Sequence, residues 1–276
     1  MTKGLKQTLI SLADKFETSA FLEKDPSQFM HRYRTPEEQE LAGFIAANLA
    51  FGRREQILSH VDFILKQADR PLHEWIAGGF WQNVFPDSNR SFYRMYSFHT
   101  MRLFFSALQS ILQEYNSLGT CVSDALHKAR DSTGFCGQKA PDGTPYLSPV
   151  IASLFPVECT LVPRTATTCA KRIQMFLRWM VRDNSPVDLG LWVFWYDKKN
   201  LLMPLDTHVM QEAAKLGMLP KTKSGKIPAP TFKTAIKLTA EMAAVFPSDP
   251  CKGDFALFGA GIQSSEAANG VSPRIK

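Results

Sequence analysis

Apolar residues recur at three- and four-residue spacing along almost the whole chain, and no convincing long run alternates with period two. That pattern predicts an all-α protein, a two-lobed helical bundle with little or no sheet. Thr35-Pro36-Glu37-Glu38 is a capping box with proline at the first helical position. It opens a helix whose inner face is Leu41, Phe44, Ile45 and Leu49, and which Gly52 ends. Arg53-Arg54 opens the next, with Ile57, Val61, Ile64 and Leu65 on one face. Met101 to Tyr115 is another apolar helix, and Gly119 closes the first half. Ser132 to Pro149, rich in Gly, Pro and Asp, reads as the connecting loop. It separates an N-terminal lobe, 1–131, from a C-terminal lobe, 150–263, in which the helical pattern resumes near Thr167. Asp249-Pro250 caps a late helix, and the small polar segment 264–276 reads as a disordered tail.

The chain has 276 residues, 45% of them hydrophobic, so it can bury a substantial core. It lacks the long apolar run of a membrane span. MTKGLKQTLISLADKF reads as an amphipathic helix rather than a signal peptide, so the expectation is a cytoplasmic protein with no membrane partner. Five scattered cysteines without a C-x-x-C pair argue against a disulfide framework, a zinc site or an iron–sulfur cluster. The net charge is +6, and the excess is clustered. Between Pro163 and Asp183 stand Arg164, Lys171, Arg172, Arg178 and Arg182 against one acid, and 215–237 holds six lysines and no acid. Such asymmetry favours a polyanion, usually nucleic acid, although a solvated lysine surface gives the same count.

The segment TTCAKRIQMFLRWMVR, 167–182, reads as one helix, apolar around most of its circumference. Lys171, Gln174, Arg178 and Arg182 are the exception: at about 100° per residue they fall within a stripe roughly 80° wide. The stripe either looks into a cleft or onto a partner, or it is the one solvated face. Lys171 stands in the first turn, where Thr167 or Thr168 can cap the helix. The dipole's positive end and Arg172 crowd positive charge around an amine that must be neutral to act as a nucleophile. Downstream, Pro204-Leu205-Asp206-Thr207-His208-Val209 leads into a helix ending at Gly217. Asp206 is either simply its N-cap or a carboxylate beside Lys171 able to orient an amine and stabilise a cationic transition state.

The strings KRIQMFLRWMVR, DLGLW, PLDTHV and DFALFGAGI resemble the signature of an uncharacterised bacterial family, itself similar to the helix-hairpin-helix DNA glycosylases. The resemblance is good over 163–262 and loose over most of the rest, including EQELAGFIAANLAFGRREQI. It implies a base-excision glycosylase, with possible AP-lyase action, on damaged duplex DNA. Lys171 would be the Schiff-base nucleophile and Asp206 the assisting carboxylate, with no metal or organic cofactor and no protein partner. The separation of 35 positions between them is closer to the archaeal 8-oxoguanine glycosylases than to endonuclease III, which implies an oxidised purine. The superfamily's hairpin carries glycines that let backbone amides approach a phosphate. LVPRTATTCAKR has none, so Arg164 and the threonines take over that contact or duplex binding is altered. Arg53 and Arg54 either hold phosphate or dress the surface, and Trp192 and Trp195 either stack on an extruded base or pack in the core. Two alternatives share the same fold features: a nucleic-acid-binding module without the chemistry, and a helical interaction protein.

Overall fold

The computed structural model describes residues 1–132, 137–164, 168–220, 222 and 225–268. It is predominantly helical: α1 (Lys3–Phe16), α2 (Pro36–Leu49), α3 (Arg54–Lys66), α4 (Leu72–Ala77), α5 (Phe98–Tyr115), α6 (Leu118–Asp131), α7 (Leu147–Ser153), α8 (Lys171–Val181), α9 (Thr207–Lys215), α10 (Phe232–Ala243) and α11 (Gly253–Ala268). Among the described residues the only sheet is a hairpin, β1 (Ser91–Tyr93) against β2 (Tyr96–Ser97). Its turn is Arg94-Met95, with Arg94 left-handed at φ 53°.

α2 is the axle of the fold. The capping box forms as the sequence predicts: Glu38 N donates to Thr35 Oγ1 and Thr35 Oγ1 donates to Glu38 Oε2. Glu38 Oε1 also accepts from Leu72 N at 2.9 Å, so one side chain pins the starts of α2 and α4 together. Every residue from Glu40 to Leu49 is buried, not only the predicted inner face, because neighbours pack all round. α8 crosses α2 at Gly43, where an added Cβ would lie 3.3 Å from Met180 Cε. Phe44 sits at the centre, stacked on Phe104 and Phe155 and edge-on to Phe176.

One continuous buried cluster draws residues from α1 through α11. The first and last helices close the molecule: Phe16 packs edge-on to Phe258, and an added Cβ at Gly259 would fall 2.3 Å from the Phe16 ring.

Several predicted boundaries move. α2 ends at Leu49, before Gly52, and Gly119 lies in the first turn of α6 rather than closing a half. The helical pattern resumes at Leu147, inside the predicted loop, since Pro149 is tolerated in a first turn. α8 begins at Lys171, not Thr167, and Thr167 lies outside the described residues. Asp249 precedes the short 3-10 turn Pro250–Lys252 without a side-chain capping bond, because its carboxylate is taken by Arg182. α11 carries the chain through 264–268, past the predicted start of the tail.

Candidate functional site

The starts of α8 and α9 meet at one point. Residues 201–206 run without regular structure into α9, and Asp206 is that helix's N-cap, its Oδ1 accepting from Val209 N at 2.8 Å. The other oxygen, Oδ2, accepts from Lys171 Nζ at 3.0 Å. Both side chains are 33% exposed, so the pair is open to a ligand. The register is fixed next door, where Cys169 Sγ donates to Leu205 O and Cys169 N donates to Pro230 O. The two readings of Asp206, cap or lysine partner, are therefore both realised, one per oxygen. Burial raises the Asp206 carboxyl, but the Lys171 charge, the Val209 N–H and the hydrogen bond from Lys171 outweigh it, and the net displacement is downward. An ionised carboxylate thus stands against the amine at neutral pH.

Ala170, just before Lys171, is left-handed at φ 49°, ψ 44°. That conformation costs an L-residue about 1–2 kcal/mol. Its N–H donates to Thr168 Oγ1 at 3.0 Å. Thr168 thus organises the strained residue instead of capping α8, and the strain fixes the direction in which Lys171 leaves the backbone.

The rest of the α8 stripe is neither a cleft wall nor a solvated face. Gln174 is 2% exposed and donates to Ser148 Oγ at 2.8 Å. Arg178, 3% exposed, pairs with Asp188 and Asp254, and Arg182, 1% exposed, pairs with Asp188, Asp249 and Glu17. The expectation that Gln174, Arg178 and Arg182 contact nucleic acid is therefore corrected: no phosphate can reach them. Periodicity shows that four side chains share a face, but not that three separate stretches of chain supply four carboxylates to cover it. Burial pushes Asp254 up to about 6 against the pull of Arg178, with Asp206 adding to the rise. Lys171 is the one member of the stripe that opens to solvent.

The family model described as "Protein of unknown function (DUF2400)" matches residues 25–263. The chain belongs to that family. No curated protein and no solved structure matches it. The DUF2400 match takes in Lys171, Asp206 and the whole buried ion-pair network except Glu17.

Around this DUF2400 site the remaining candidates separate. Arg164 is half-buried and donates to Phe155 O at 2.8 Å, while its buried Nε has no partner among the described residues. Residues 154–170 connect α7 to α8, and Thr165 and Thr167 lie outside the described residues. Trp192 is 1% exposed, packs edge-on to Phe176 and donates Nε1 to Glu40, so it is core and not a stacking platform. Trp195 is half-buried in the wall of a cavity that neither Lys171 nor Asp206 lines. Arg53 and Arg54 are exposed at the start of α3.

Sequence reasoning missed the rim that joins these arginines to Lys171. Arg172 donates Nη1 to Asn48 O near the end of α2, and its guanidinium lies 5.5 Å over the Tyr96 ring of β2. Tyr93 donates its hydroxyl to Phe51 O at 2.6 Å, and Arg94 stacks 5.0 Å over the Phe51 ring. Phe51 is 41% and Met95 68% exposed. The only sequence signal was the mixture of aromatic and basic residues in FGRR and FYRMY, which no periodicity joins. Among the described residues no group of His, Cys, Asp and Glu is arranged to hold a metal, and no helix is long and apolar enough to cross a membrane.

Proposed function

We propose that this chain is a base-excision DNA glycosylase with lyase capability, in which Lys171 is the nucleophile and Asp206 the carboxylate that positions it and stabilises positive charge. The observation that carries the reading is the 3.0 Å contact between two one-third-exposed groups that lie at the starts of separate helices. Lys171, having released a proton to water, attacks C1′ of an extruded nucleotide. The C1′–N bond breaks, and the base departs with its electron pair and takes up a proton. The sugar ring opens to an imine on Lys171, which water hydrolyses or from which β-elimination cleaves the strand. The Asp206 carboxylate meanwhile stabilises positive charge developing at C1′. Arg53, Arg54 and Arg94 supply cations for the phosphates, and the exposed Phe51 and Met95 are apolar side chains of the kind that part base steps. The substrate class that the resemblance favours is an oxidised purine in duplex DNA. The bundle is then that of the helix-hairpin-helix glycosylases, with the glycine hairpin replaced by 154–170.

Borohydride in the presence of DNA bearing an abasic site or an oxidised purine is expected to trap a covalent complex with the wild type and not with Lys171→Gln. Asp206→Asn keeps the cap, because asparagine caps as well as aspartate. It is expected to leave stability nearly unchanged while trapping and base release fall at least about tenfold. Equal trapping without Lys171 refutes the nucleophile. DNA binding with neither release nor adduct leaves a binding module, so release is assayed separately from strand cleavage.

A further inference from the structure

The cavity walled by Trp195, of about 410 Å³, lies between one face of α6 and the turn 191–195, with Glu40 of α2 lining it. Glu40 is 5% exposed, and among the described residues no Lys, Arg or His pairs with it. Among the described residues its two oxygens accept from neutral donors: Trp192 Nε1 at 2.7 Å, Gly119 N at 3.0 Å and the Leu118 N–H. A carboxylate carries about four acceptor sites, so acceptor capacity remains. Buried charges are ordinarily paired, and this one is not. Trp195 lines the same cavity, its ring centroid 5.0 Å from that of Trp192. The other acid in the wall, Asp124, is already matched by Lys128 at 2.7 Å and Tyr115 at 3.0 Å. A carboxylate without a counter-ion and an aromatic ring, lining one cavity open to solvent, are the two elements that recognise an organic cation, by ion pairing and cation–π attraction.

We propose that this cavity binds a small organic cation, a guanidinium or ammonium compound, whose charge pairs with Glu40 and whose body lies against Trp195. The site is independent of Lys171. Trp192 N donates to Met180 O, and Met180 stands nine residues along α8 from Lys171, about 13 Å down the helix axis.

The test is a titration of the full chain with agmatine, followed by tryptophan fluorescence, with sodium chloride of matched ionic strength as control. A saturable change is expected at pH 8.0. Glu40 is held near 7, chiefly by burial. The affinity at pH 5.5 is therefore expected to be about 30-fold weaker, as the carboxylate protonates. The groups facing Glu40 are Glu37 of α2, which raises its affinity for protons, and in the cavity wall Asp124 of α6, held low by Lys128, and His127 of α6. The turn 191–195 carries no titratable group. Glu40→Gln is expected to abolish binding. Ser123→Arg, on the cavity wall, carries a tethered guanidinium to the same carboxylate and is expected to abolish binding while raising Tm. Ser123→Arg decides alone if Glu40→Gln does not fold. No saturable change in the folded wild type, binding that survives the folded variants, or tighter binding in acid each overturns the proposal.

Discussion

A methyl group added at Gly119 exposes how tightly α6 is keyed to the rest of the molecule. Replacing glycine by alanine in a helix ordinarily stabilises it, by at most about 1 kcal/mol. At this position the new Cβ would stand 2.5 Å from Glu40 Oε1 and 2.6 Å from Trp192 Nε1. Neither atom can withdraw without breaking the 2.7 Å bond between them. Both belong to buried side chains, so relaxation has to move α6 away from α2 or strip the indole N–H of its acceptor. An orphaned buried donor costs about 1–3 kcal/mol, and overpacking a core by one methyl costs about 1–3 kcal/mol. Set against the gain in propensity, Gly119→Ala is expected to destabilise by about 3 kcal/mol. Urea unfolding followed by circular dichroism measures this, with Gly4→Ala in α1, where the added Cβ meets nothing within 4 Å, as the reference. Trp192→Phe removes the clashing nitrogen, so the double variant is expected to lose less than the sum of the single losses. A Gly119→Ala protein as stable as the wild type, or more so, refutes the reasoning.

The same carboxyl predicts a pH dependence. Glu40 is held near 7 in the fold against an ordinary 4.5, so the folded state binds the extra proton between those values. Its contribution, about 3 kcal/mol, is full below about 4.5 and lost as pH rises through 7; Glu40→Gln is expected to flatten that part of the denaturation profile. Arg182→Ala leaves Asp249 without its cation, Asp188 with Arg178 alone and Glu17 with Lys252 alone, and is expected to cost about 3–5 kcal/mol while leaving the salt dependence of DNA affinity unchanged. Arg53→Ala with Arg54→Ala has the opposite profile: little change in stability, and a log–log salt slope shallower by about 0.9 for each phosphate that is no longer neutralised.

What the sequence disclosed was local. The capping box at Thr35, the apolar face of α3 and the Asp206 cap are all written within one or two helical turns, where spacing translates directly into contact. The pairing of Lys171 with Asp206 came from resemblance, since 35 positions of intervening chain carry no periodic signal about where they return. The α8 stripe failed for a related reason. Lys171 and Arg182 look alike on a helical wheel, and what separates them is that α1, the 183–190 loop and the approach to α11 deliver Glu17, Asp188 and Asp249 to one and not the other. Glu40 was invisible as well. In the sequence it is one more acid just past the polar first turn of α2, and only the arrival of Trp192 and Gly119 buries it.

The clasp between α1 and α11 has a kinetic consequence. During synthesis α1 emerges first, with Leu9, Leu12 and Ala13 ready for burial, yet residues 17–252 must be made before its partner exists. Chains ordinarily fold from the N-terminus as they are made, whereas this contact spans nearly the whole sequence and is among the slowest to close. Until it closes, the apolar face of α1 is exposed and Arg182 lacks Glu17 as well as Asp249. The apolar face of α1 therefore stays uncovered through the synthesis of everything between it and α11, and the later helix locks the earlier one.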